Sequence, residues 1–99
     1  MATFISTVKF TEKGEQHIQE TTKRAASFKS TAKKLGVKIV GQYWTLGSFD
    51  GLLIFDAPDD ETATALMLRL GSLDNVHTAT SRAFVAAEMD KILGLMPQS

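Results

Sequence analysis

Cysteine is missing from all 99 residues of the chain, and that absence removes disulfides, thiolate nucleophiles and cysteine-built zinc or iron–sulfur centres together. A dominant charge is missing as well: eleven Lys and Arg meet eleven Asp and Glu. Without a broad positive field, nucleic acid is not an expected partner. No apolar run approaches the roughly 20 residues of a membrane span, so no membrane association is expected either. The start, MATFISTVKF, lacks the basic region and apolar run of a secretory signal, which makes the cytoplasm the expected location. Low-complexity segments and internal repeats are absent too, and proline occurs twice. What remains, 43% hydrophobic and 22% charged, is the composition of a folded globular chain. At this length residues 1–99 make one domain with a modest core, and domains this small often rely on a partner to cover remaining apolar surface.

Thr3 to Phe10 is rich in β-branched and aromatic residues and reads as a first strand. From Glu15 to Leu35, Ile18, Thr22, Ala25, Phe28, Ala32 and Leu35 recur at helical spacing, and Gly36 supplies a stop. Val37 to Leu46 and Phe49 to Ala57 form a strand pair closed by Pro58. Asp59 can cap a helix that carries Ala63, Leu66, Met67 and Leu70 on one face and ends near Gly71. Val76 to Phe84 gives a fourth strand, and Val85, Met89, Ile92 and Met96 a last amphipathic helix, with Met67, Met89 and Met96 at core positions. The class is α+β: a ferredoxin-like βαββαβ antiparallel sheet with a C-terminal helix.

A sheet with helices on one side and water on the other alternates cleanly between apolar and polar residues. These strands do not, since Leu52 to Phe55 is apolar at both parities. Both faces need cover and the helices supply one, so a second copy packed sheet to sheet is the expected partner.

The hairpin YWTLGSFDGLLIF offers two turns, Gly47-Ser48 and Asp50-Gly51. The first fits a type II′ loop and aligns the two apolar runs along their length, pairing Trp44 with Gly51, Gln42 with Leu53 and Val40 with Phe55. Trp44 is then expected over the bare Gly51, on a packing face shared with Leu46 and Phe49. The opposite face carries Tyr43, Thr45 and Asp50, a phenol, a hydroxyl and a carboxylate near one end, and is the first place to look for a pocket. The plainer reading of Asp50 is that it bonds backbone amides beside the turn.

At this point the segments TFISTVKFTEKG, GQYWTLGSFDGLLIFDAPDD and VHTATSRAF together resemble the GYD domain, a bacterial family named for its Gly, Tyr and Asp. The resemblance covers nearly the whole chain and implies the plan of the dimeric α/β barrels, in which two ferredoxin-like sheets pack face to face. That plan is shared with cofactor-independent monooxygenases and with effector-binding domains of Lrp/AsnC-type regulators. Here the motif reads Gly47-Ser48-Phe49-Asp50, so Phe49 replaces the tyrosine and no step that needs its hydroxyl can run.

His17 and His77 are the titrating bases near neutrality, and two histidines without a close carboxylate pair make no zinc signature. His77 and Arg82 lie in one strand at opposite parity and point to opposite faces; either can reach a dimer cavity, where an arginine suits a carboxylate ligand, and ordinary surface solvation is the plainer reading of each. Lys23, Arg24, Lys29, Lys33, Lys34 and Lys38 form a basic stripe that reads as a solvated face. No phosphate loop, nucleophile elbow or metalloprotease motif is present, so no cofactor or metal is expected. The expectation is a homo-oligomeric binding module for a small organic molecule held by Tyr43, Thr45, Asp50, His77 and Arg82. The alternatives are a cofactor-independent oxygenase or isomerase with His77 or Asp50 as base, and a purely structural association domain.

Overall fold

A computed structural model describes residues 1–98. Its strands are β1 (Ala2–Phe10), β2 (Lys38–Trp44), β3 (Gly51–Ala57) and β4 (Val76–Ala83). Its helices are α1 (Glu12–Gln16), α2 (Thr21–Lys34), α3 (Asp60–Ser72) and α4 (Ala86–Gly94). The strands form one antiparallel sheet in the order β2-β3-β1-β4. This is the ferredoxin-like arrangement, with both long helices on one face and α4 after the last strand.

The covered face is set by alternation along the central strands. Gly51, Leu53, Phe55 and Ala57 of β3 are buried, as are Phe4 and Ser6 opposite them in β1. The rings of Phe4 and Phe55 stack with centroids 5.4 Å apart. Phe28 and Ala32 of α2 and Ala63 and Leu66 of α3 close over them. Alanine at positions 32, 57 and 63 brings the helix backbones near the sheet at this end, and each buried Phe or Leu side chain contributes about 1.5–3 kcal/mol. Asp59 caps α3 as expected, its carboxylate accepting from the Thr62 N–H at 2.7 Å.

The N-terminal half of the first helix differs from the expected continuous run. Thr11 caps α1 by accepting from the Gly14 N–H, α1 ends at His17, and a 3-10 turn over Ile18–Glu20 leads into α2. The break follows from docking: the Thr11 N–H and hydroxyl donate to the carbonyls of Asn75 and Asp74, and Gly14 lies so close to Asn75 that a Cβ would meet its carbonyl oxygen at 2.1 Å. A straight helix pinned there cannot also lie over the sheet. Arg24 satisfies carbonyls freed by the break, donating to His17 at 2.8 Å and Gly14 at 3.4 Å. Ile18 consequently stays exposed instead of joining the core.

Smaller corrections have equally local causes. Gly36, in the left-handed region at φ +75, ends α2 as expected, but α3 runs past Gly71 to Ser72 because Asp74 takes that role at φ 63. Met67 packs on the core, whereas Met89 is exposed on α4, which buries none of its residues, and Met96 is exposed beyond the end of that helix. The chain is accordingly elongated, with a radius of gyration of 15.3 Å against about 13 Å for a compact domain of a hundred residues.

Candidate functional site

The hairpin keeps the expected register near its tip and loses it farther along. Trp44 pairs with Gly51, Tyr43 with Leu52, Gln42 with Leu53 and Gly41 with Ile54. A bulge then intervenes, so Ile39 and not Val40 lies opposite Phe55. The extra residue lets Ile39 pack on the core beside buried Val37 and leaves Val40 exposed at the sheet edge. The connection itself is wider than a two-residue turn. Pairing ends at Trp44 and Gly51, the Thr45 N–H donates to the Asp50 carbonyl at 2.9 Å, and Leu46 projects fully into solvent.

Asp50 closes the end of the central ladder. Pairing between β1 and β3 stops at Val8 and Gly51. The Asp50 N–H donates to the Val8 carbonyl at 2.8 Å, and its carboxylate accepts from the Phe10 N–H at 2.9 Å. The side chain thus supplies the acceptor a longer strand would have offered. The Thr45 hydroxyl donates to the Phe49 carbonyl at 2.6 Å, holding the loop and not a neighbouring carboxylate.

The remaining expected site residues are dispersed. Tyr43 lies on the open face, its ring folded over Gly41, where a Cβ would come within 2.8 Å of it. His77 is exposed and pairs with Lys9. Arg82 pairs with Phe4, which puts it on the helix-covered side. Its guanidinium lies 5.7 Å from the Phe4 ring centre and 4.7 Å from that of Phe84, donates to the carbonyls of Thr3 and Ala83, and meets Glu88 at 3.2 Å. The Glu88 carboxylate also accepts from the Val85 N–H; that bond first, and Arg82 second, hold its pKa below the usual glutamate range. Among the described residues no group of three or more His, Asp or Glu is placed to hold a metal ion, and no helix is long and apolar enough to cross a membrane.

A more enclosed, apolar concave feature lies on the helix side of the sheet instead. A groove of about 270 Å³ runs between α2 and α3 at the end of the sheet away from Phe4. Val8, Phe10, Phe28, Leu53, Leu70 and Leu73 form its apolar lining, and Arg24, Arg69, Trp44 and Asp50 border it. Trp44 does not cover Gly51; its indole N–H donates to the Thr21 hydroxyl of α2 at 3.0 Å. Periodicity assigns Arg24 to a solvated stripe and Trp44 to packing, and it cannot mark this groove, which arises from the spacing of two helices distant in sequence.

The open face is the other unfinished surface. Register places Ile5, Thr7, Tyr43, Leu52 and Ile54 there together, with Ile5 and Tyr43 exposed and the others half-buried.

A family model of the GYD domain matches residues 4–93, and the chain belongs to that family. It is also 30% identical, over 90 residues, to the glutamine synthetase and cystathionine beta-lyase binding protein of Thermus thermophilus, covering 90% of this chain and 95% of the relative. No solved structure matches.

Proposed function

We propose that this chain is a homo-oligomeric, cytoplasmic binding module whose open sheet face meets protein surfaces, first a second copy of itself and then enzymes of the kind named for the Thermus relative. The observation that carries the reading is the apolar, uncovered face formed by Ile5, Tyr43, Leu52 and Ile54. Contiguous apolar surface of this kind favours association over solvation. The relative's printed name supports protein partners. The site residues fit this role unevenly. Tyr43 and His77 stand on the open face as contact residues, while Thr45, Asp50 and Arg82 support it through their bonds to the loop, to β1 and to α4.

The test is light scattering at micromolar concentration, combined with surface plasmon resonance against purified glutamine synthetase and cystathionine beta-lyase. The expected outcome is a dimeric or larger mass and saturable binding of at least one enzyme, with Ile54→Asp reducing both. A monomeric mass together with no binding of either enzyme would overturn the proposal.

A further inference from the structure

We infer that the groove between α2 and α3 is a binding site for a small amphipathic carboxylate, whose hydrocarbon body fills the apolar lining and whose anionic head meets Arg69. This site lies on the opposite side of the sheet from the proposed protein contact. Its volume of about 270 Å³ falls just below the usual range for ligand pockets of roughly 300–1,000 Å³, which suits a compact ligand.

The groove exists because the helices close at one end only. Ala32 and Ala63 pack them tightly over Phe4 and Phe55. At the other end Thr21, Ala25, Leu70 and Leu73 stand over Val8 and Gly51, and Gly51 contributes no side chain to the floor. Apolar walls left apart in this way gain from any hydrocarbon that displaces water between them.

Charge selects the head group. Two guanidiniums and one carboxylate border the groove. The Asp50 carboxylate is engaged by the Phe10 N–H, and Arg24 by the carbonyls of His17 and Gly14 and, at 3.9 Å, by Glu20. Among the described residues Arg69 alone of the three has a side chain with no hydrogen bond or ion pair. The available charge is therefore a planar cation, suited to bidentate contact with a carboxylate.

Trp44, the only tryptophan, borders the groove and serves as the reporter. Octanoate should shift its emission saturably, and 1-octanol should do so more weakly. Arg69→Gln, a change at an exposed position, should weaken octanoate by about tenfold or more, the value of one charge-assisted contact, while leaving octanol unchanged. Ala25→Phe should fill the groove and abolish the shift with the circular dichroism spectrum intact. Equal binding of octanoate and octanol, no saturable response in the parent chain, or indifference to Arg69→Gln would each overturn the assignment. So would a change of Trp44 emission in ligand-free Leu93→Asp, which would give the groove to the C-terminal helix of a second copy. Because none of these readouts uses the open face, failure here leaves the protein-contact proposal standing, and the converse holds.

Discussion

Leu53 and Phe55 on one side of β3, and Leu52 and Ile54 on the other, are equally apolar and sit one residue apart. The first pair is buried, at 4% and 0% exposure, while the second is only half-covered. The difference comes from where α2 and α3 lie. The same kind of hydrocarbon therefore serves folding on one face and remains available for association on the other. Cover, not composition, separates a core from an interface.

The largest test of that separation is a matched pair of truncations. Phe55→Ala removes a ring that is fully buried and stacked on Phe4, and should cost about 3–5 kcal/mol in urea unfolding of dilute protein. Ile54→Ala should cost about 1 kcal/mol or less under the same conditions, close to what surface changes cost, and more as concentration rises and copies associate. An Ile54→Ala penalty as large as that of Phe55→Ala and independent of concentration would show that the open face is already filled within one chain.

A smaller effect belongs to Asp50, at the tip of the strand that carries both faces. Asp50→Ala leaves the Phe10 N–H without its acceptor and should cost about 1–3 kcal/mol, whereas Asp50→Asn keeps an acceptor oxygen and should cost well under half as much. Equal losses would mean that the negative charge, and not the bond to β1, is what the hairpin requires, and would return Asp50 to the list of working carboxylates.

The legible parts of this fold are those fixed by local pattern. The α+β class, the order of strands and helices along the chain, the capping of α3 by Asp59, the stop at Gly36 and the pairing of Trp44 with Gly51 all follow from spacing or turn chemistry. What escaped depends on contacts between segments far apart in sequence. Helix α1 breaks because Thr11 and Gly14 dock on Asp74 and Asn75. The bulge at Val40 answers the need of Ile39 for the core. Of the expected site, the place of Tyr43 on the open face is readable from parity, because a two-residue period propagates along a ladder. The destinations of the Asp50 and Arg82 side chains are not, since each reaches along the sheet to a partner that no period encodes.

The smallest effect concerns α4, which stands outside the contrast between the two faces because it is tethered by polar contacts and buries nothing. Arg82 meets Glu88, and the Val85 N–H donates to the same carboxylate. Both interactions favour the ionised form and hold the folded pKa of Glu88 below its unfolded value. A depressed pKa gives stability that is complete above the unfolded value and disappears as pH falls through that value towards the folded one. Acidification below the ordinary glutamate range should therefore loosen α4 while the Phe4–Phe55 core persists. The Cα chemical shifts of Ala86–Gly94 would report this as a titration absent from the shifts of Leu53 and Ile54. In Glu88→Gln, which retains an acceptor oxygen but no titrating charge at that position, the acid-induced loosening of α4 should vanish. An unchanged titration in that variant would locate the acid response elsewhere. A joint loss of α4 and strand shifts would show that the C-terminal helix belongs to the cooperative core after all, despite its exposure.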